Sequence, residues 1–449
     1  MTGLIGSNLR MPVPSFRRQQ HLYLSLTLWR RRLVFWIGAL AVGVISVGFA
    51  LSADWIQHWF TGTFADHKWW TLAVTPAGFV LSAFLCRRFF PGAQGSGIPQ
   101  TIAARVLRTP EQRTRLLSMK LTAAKVVLTL LGLGCGASIG REGPTVQVGA
   151  SIMLQTARWS GMGRERGLIL AGGAAGVAAA FNTPLAGIVF AIEELSRAYE
   201  ARTSFLVLSA VILAGLASLG IVGNYSYFGV TNATLVEPIT WLSVVACGVG
   251  GGLLGAIFAK LTLIGTLRLK RLLAVKPIRR SLMVAFVCGV LVALLAIATD
   301  GATWGTGYEQ ARGALEGRGL AWYFAPAKLL ATLLSTLAGL PGGIFAPSLA
   351  VGAGVGSLVS GLFPDTVTGA IVVLGMAGYF AGAVQAPITA FVIITEMTAN
   401  HTMIIPLMIS AVLGYGVSRL INQHPLYEAL SAGFLKEAPP GVKVTQGGE

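Results

Sequence analysis

The chain reads as a succession of apolar stretches with polar residues gathered between them. Clear runs cover residues 33–51, 71–85, 121–139, 205–222, 241–264, 282–299, 326–340, 348–362, 370–396 and 403–420. Residues 168–195 read as two short segments joined near Asn182-Thr183-Pro184. Runs of this length approach the roughly 20 residues a helix needs to cross a hydrocarbon core. The pattern predicts an all-α polytopic membrane protein.

Three places break the pattern inside apolar sequence. The first is Gly140-Arg141-Glu142-Gly143-Pro144-Thr145-Val146-Gln147-Val148-Gly149-Ala150, which puts an arginine and a glutamate at membrane depth. A charge there costs roughly 3 kcal/mol or more. Glycines and a proline disrupt regular helix, and non-helical backbone at this depth must be buried in protein or line a watery cavity. Pro144 is expected to be the first residue of a new helix. The backbone N–H groups of Arg141, Glu142 and Gly143 then point into a cavity at the positive end of a helix dipole, an arrangement that binds anions. Glu142 stands at the same mouth, as a tethered carboxylate competing with a mobile anion.

The second break, Gly342-Gly343-Ile344-Phe345-Ala346-Pro347, repeats the design. Pro144 and Pro347 stand 203 residues apart, as do Gly140 and Gly343, Gly149 and Gly352, Gly172 and Gly375, Pro184 and Pro387, and Glu193 and Glu396. The chain is read as two related halves, and paired broken helices in corresponding places point to a transporter's binding site. The third break is Gly92-Ala93-Gln94-Gly95-Ser96-Gly97-Ile98-Pro99. Here Ser96 is either a donor to an anion or a plain helix cap. Glu193 and Glu194 end an apolar run beside Arg197; by themselves they read equally as a polar helix end. Tyr427 reads as an interfacial anchor or as a phenol reaching back to an ion.

Composition agrees with a membrane protein: 54% hydrophobic, 11% charged and a mean hydropathy of +0.70. The net charge of +17 raises the question of nucleic acid. Its distribution answers against it. Basic residues cluster at Arg30, Arg31 and Arg32, at Arg87 and Arg88 and on to Arg115, and from Arg268 to Arg280. These lie between apolar runs, as positive-inside loops do. Trp55, Trp59, Trp69 and Trp70 are assigned to a wet outer loop as an aromatic belt, with Asp54 and Asp66 beside them. Cys86, Cys135, Cys247 and Cys288 are scattered and read as buried small hydrophobes. The five histidines form no cluster in sequence, so neither a metal site nor acyl-transfer chemistry is expected. No signal peptide is expected either.

On these residues the chain resembles the CLC family of chloride channels and chloride/proton antiporters. Three family signatures stand here as Gly95-Ser96-Gly97-Ile98-Pro99, Gly140-Arg141-Glu142-Gly143-Pro144 and Gly343-Ile344-Phe345-Ala346-Pro347, and a fourth element as Tyr427. The resemblance runs from about residue 33 to 436. It implies a CLC-type fold of two inverted-topology repeats and about 18 helices, some broken or re-entrant, in a homodimer with one anion pathway per subunit. It also implies roles. Ser96 and Tyr427 give hydroxyls to a central chloride, with the backbone N–H groups of Ile344 and Phe345. Glu142 is the external gate and proton carrier, and Glu194 hands protons inward. Ser96 resembles chloride-selective members, since nitrate-preferring relatives carry proline there. Many relatives have an acid directly after the first motif's proline. This chain has Gln100, and the next acid is Glu111.

The resulting reading is a chloride/proton antiporter of the bacterial inner membrane. The alternative is a passive, glutamate-gated chloride channel. An enzyme or sensor fits less well. The expected layout is an interfacial helix over 1–32, repeats over 33–222 and 239–436, an external linker over 223–238, and a cytoplasmic tail over 437–449. Both termini are placed in the cytoplasm. Chloride, protons, lipid and a second copy of the chain are the expected partners; nucleic acid, nucleotide, metal and cofactor are not.

Overall fold

The computed structural model describes residues 26–163, 165–198, 201–235, 237–364 and 366–436. Eighteen α-helices lie among them, and β-type pairing among the described residues is limited to two isolated bridges. In the first half the helices are α1 (Leu26–Phe64), α2 (Thr71–Arg88), α3 (Ile98–Val106), α4 (Pro110–Leu116), α5 (Met119–Leu133), α6 (Glu142–Ser160), α7 (Glu165–Phe181), α8 (Pro184–Phe190) and α9 (Ala201–Val222). In the second half they are α10 (Trp241–Leu273), α11 (Pro277–Ala298), α12 (Tyr308–Leu315), α13 (Phe324–Leu337), α14 (Phe345–Ser360), α15 (Thr368–Val384), α16 (Pro387–Thr398) and α17 (Ile404–Ile421). A last helix, α18 (Leu426–Lys436), closes the second half. Among the described residues, seven helices are long and apolar enough to cross a membrane.

The 203-residue offset governs the architecture. It relates α6 to α14 at Glu142 and Phe345, and α7 to α15 at both ends. It also relates the two left-handed residues that follow them, Asn182 (φ 56°) and Gln385 (φ 64°). The matched glycines turn out to be matched contacts. Gly149 meets Gly172 backbone to backbone between α6 and α7, and a Cβ on either would run into the other's carbonyl. Gly352 meets Gly375 in the same way between α14 and α15. Close backbone approach of this kind is how apolar helices associate without a hydrophobic drive between them.

The halves join through reciprocal bonds. Gly140 N donates to Gly343 O and Gly343 N to Gly140 O, both at 2.7 Å, in an antiparallel bridge between the two broken loops. Glu193 accepts from Ile388 N (3.0 Å) and Thr389 N (2.6 Å) at the start of α16. Glu396 accepts from Leu185 N (3.0 Å) and Ala186 N (2.7 Å) at the start of α8. Each carboxylate thus satisfies the free N–H groups of a short helix in the opposite half, where negative charge is favoured.

Several expected boundaries move. The position between residues 32 and 33 falls inside α1, one 39-residue helix; the rest of the expected N-terminal helix, residues 1–25, and the tail over 437–449 lie outside the described residues. Trp55 and Trp59 sit on α1, exposed, rather than in a loop, because the apolar face carries the helix on to Phe64. Pro144 and Pro347 are the third residue of their helices, not the first. A proline in the first turn removes no intrahelical bond, so the helix is free to start two residues earlier.

Candidate functional site

The site is built where α6, α14 and the loop before α3 converge. The glycine-rich chain ahead of α6 leaves helical geometry at Gly136 (φ 78°). Ser138 N is then held by Ser335 Oγ at 3.1 Å. This delivers Gly140 against Gly343 and starts α6 at Glu142. A Cβ at Gly143 would lie 2.8 Å from Ser96 O and 3.2 Å from Gly343 Cα, so all three signature loops meet at this glycine.

Glu142 is buried, and neither carboxylate oxygen has a hydrogen-bond partner. Its side chain folds back over Gly140, whose missing Cβ leaves the space the carboxylate fills, near Pro347 of α14. The negative group therefore lies between two helix N-termini, where the sequence placed an anion.

Arg141 precedes it and is 2% exposed. Its Nη1 donates to Ala50 O and pairs with Asp54 Oδ1, both at 2.5 Å, and its guanidinium lies 5.9 Å from the Tyr227 ring centre. Asp54, expected in a loop, is on α1 and neutralises the arginine at this depth.

Ser96 lies one residue before Gly97, which is the N-cap of α3. The N-cap position belongs to Gly97, and Ser96 still serves the first turn of α3. Ser96 Oγ accepts from Ile98 N at 3.3 Å, and its hydroxyl proton remains for another acceptor. Lys125, absent from the sequence reading, is fully buried and donates to Gly95 O at 2.8 Å, which fixes the loop from behind. Gln100 is buried and structural. It accepts from Gly97 N (3.1 Å) and donates to Gln94 O (2.7 Å).

Ile344 and Phe345 open α14 and are buried. Tyr427, at the start of α18, is buried with its hydroxyl unpartnered. Its ring stacks on Phe345, centres 6.4 Å apart and planes 20° apart. Phe345 also packs edge-on against Phe190 and Phe380, two contacts with no local signal in the chain. Tyr427 lies within electrostatic reach of both Glu142 and Glu194. Ser96, Glu142, Ile344, Phe345 and Tyr427 thus meet through the loop contacts at Gly143 and the ring stack on Phe345, and Glu194 is a further carboxylate that acts on Tyr427.

Glu194 and Glu193 have different fates. Both ride on a π-helical turn, Ala191–Ser196, a form enriched at functional sites. Glu193 turns outward to cap α16, whereas Glu194 is 1% exposed with both oxygens unpartnered. Arg197, Glu193 and Glu428 act on it electrostatically. Glu428 is ion-paired with Arg197. The acid near Glu194 therefore comes from beside Tyr427, while Glu111 is exposed on α4.

Comparisons with known proteins bear on this geometry. A family model described as voltage gated chloride channel matches residues 77–419. The H(+)/Cl(-) exchange transporter ClcA of Klebsiella pneumoniae subsp. pneumoniae is 32% identical over 445 residues, covering 91% of this chain and 90% of the relative. The ClcA of Citrobacter koseri is 31% identical, covering 88% and 86%. The crystal structure of a slow cyanobacterial Cl-/H+ antiporter matches with a TM-score of 0.78 at 25% identity, covering 91% of this chain and 98% of that one. A CLC-type fluoride/proton antiporter shares the fold, with a TM-score of 0.72 at 21% identity over 88% of this chain and 97% of the other.

Proposed function

The chain belongs to the voltage gated chloride channel family, and from that footing we propose that it exchanges chloride for protons across the bacterial inner membrane. The observation that carries this is the unpartnered Glu142 carboxylate between the N-termini of α6 and α14, in a core that also buries the unpartnered Tyr427 hydroxyl and the unpartnered Glu194. An ionised carboxylate and a chloride compete for one positive end. Protonation of Glu142 releases it, which links the two fluxes. Chloride rests centrally against Ser96, Tyr427 and the N–H groups of Ile344 and Phe345. Glu194, buried and off the anion route, relays the proton to the cytoplasm. The relatives named as H(+)/Cl(-) exchangers support exchange over passive conduction. The work is transport, with no covalent chemistry.

The same proposal covers the layout. Residues 33–222 and 239–436 are the two repeats, joined externally over 223–238, with both termini in the cytoplasm beside the basic loops. The unit is a homodimer through α8, α9, α16 and α17. These helices expose Leu185, Phe205, Ile388 and Ile405, yet the same face holds the half-buried carboxylates of Glu193 and Glu396. Lipid disfavours carboxylates, whereas a second subunit covers them.

Reversal potentials of reconstituted vesicles under separate chloride and proton gradients test the function. Proton-coupled potentials are expected in the native protein. Glu142→Gln abolishes proton movement and leaves chloride passive or slowed; Glu194→Gln abolishes proton movement while chloride still moves. A native reversal potential that follows chloride alone would make the protein a channel.

A further inference from the structure

The loop that carries Ser96 has a structural twin on the opposite side. Gly95-Ser96-Gly97-Ile98 corresponds to Gly305-Thr306-Gly307-Tyr308. In both, two left-handed glycines flank a hydroxyl residue: Gly95 (φ 73°) and Gly97 (φ 102°), Gly305 (φ 57°) and Gly307 (φ 80°). In both, the second glycine is the N-cap of the following helix, α3 or α12. Ile98 N donates to Ser96 Oγ at 3.3 Å, and Tyr308 N donates to Thr306 Oγ1 at 3.3 Å. Behind each loop stands a fully buried lysine, Lys125 or Lys328, again 203 residues apart. Lys125 donates to Gly95 O at 2.8 Å, and Lys328 to Gly305 O at 2.7 Å and Thr303 O at 2.9 Å.

These lysines act on the loop's donor. The carbonyl of Gly305 and the N–H of Thr306 belong to one peptide group. A lysine N–H donated to that carbonyl polarises the group and makes its N–H a stronger donor. The same holds for Gly95 and Ser96. At Thr306 the strengthened donor already has a guest: both its N–H and its hydroxyl donate to Gln57 Oε1, each at 3.0 Å. A single oxygen accepting two convergent donors stands where a small anion would sit.

A cavity of about 320 Å³ lies beyond Gln57 and Tyr308, the two residues hydrogen-bonded to Thr306, and is also lined by Arg141 and Asp54, with His58 and Glu309 among its other walls. Arg141 is 2% exposed, and its Nε has no hydrogen-bond partner. Asp54 is paired with Arg141. Glu309 is exposed and opposes an anion from the rim, which keeps the site weak enough for a carboxamide oxygen to compete.

We propose that Gly305-Thr306-Gly307 is a second anion cradle at the outer mouth, for a monovalent halide, with the Gln57 carboxamide oxygen as its tethered competitor. This rests on the reading of Ser96 as a chloride ligand. Neutral donors backed by one buried lysine suit a single charge of small radius better than a divalent anion.

The test is bromide located by anomalous diffraction, together with the external chloride dependence of transport, in the full-length protein. Gln57→Ala frees the two donors. A bromide peak within hydrogen-bond distance of Thr306 N and Oγ1 is then expected, and external half-saturation falls about fivefold, the change that one net hydrogen bond carries. Adding Thr306→Val reverses that gain, while Thr306→Ser keeps it. Gln57→Glu, which fixes a carboxylate in the cradle, removes both the peak and the gain. A Gln57→Ala protein with bromide at Ser96 and none at Thr306, or with unchanged half-saturation, overturns the cradle alone. Bromide at neither loop overturns the reading of Ser96 as well.

Discussion

The two reciprocal carboxylate clamps provide a matched pair of perturbations. Glu193 accepts three bonds, from Ile388 N, Thr389 N and Thr389 Oγ1 (2.7 Å). Glu396 accepts two, from Leu185 N and Ala186 N. A hydrogen bond to a charged group contributes roughly 1.5–3 kcal/mol. A glutamine retains one acceptor oxygen and loses the charge. Half-buried clamps belong at the low end, so Glu193→Gln and Glu396→Gln should each cost about 1–2 kcal/mol. Their unfolding temperatures in detergent should drop by similar amounts. Function should separate them. Glu193 shares the π turn with Glu194, and Glu396 has no such neighbour. If the turn relaxes to α, Glu194 swings by up to about 100°, one residue's rotation. An energy of about 1.4 kcal/mol is tenfold in the population of the productive geometry. Glu193→Gln is therefore expected to lower proton flux about tenfold with chloride flux within a factor of two, read from paired pH and chloride electrodes on one vesicle preparation. Glu396→Gln is expected to leave the proton-to-chloride ratio unchanged. Equal ratios in the two variants, at equal loss of stability, would refute the positioning role of Glu193.

Further expectations follow from packing and buried donors. Gly352→Ala sets a Cβ 2.7 Å from Gly375 O and should cost about 1–3 kcal/mol by forcing α14 and α15 apart; Gly48→Ala, with nothing within 4 Å in α1, should leave the unfolding temperature equal or higher, and the reverse order would contradict the packing argument. Lys125→Met strips the donor from Gly95 O and should weaken chloride binding several-fold by titration calorimetry, with Lys125→Arg nearer the native value; unchanged affinity in Lys125→Met would dismiss its role behind Ser96. Cross-linking in mild detergent should trap dimers, and Ile405→Trp on the exposed face of α17 should shift them toward monomer; recovery of monomers alone from the native protein would discard the interface.

By itself, the sequence determined the framework. Apolar runs, glycines and prolines act on their own backbone, so their consequences are legible where they stand. The offset that paired Gly149 with Gly352 and Gly172 with Gly375 marked places where helices touch backbone to backbone, because only glycine admits that approach. The breaks at Gly140 and Gly343 likewise located the loops that meet at Glu142. Tertiary structure decided where side chains point and which distant groups they meet. Glu193 and Glu194 are adjacent in the chain, yet one caps α16 and the other is buried without a partner. Asp54 pairs with Arg141, Glu428 stands by Glu194, and Gln57 fills the loop at Thr306. No local signal encodes such pairings. A buried charge or donor requires some partner, but which residue supplies it depends on how helices far apart in sequence are packed.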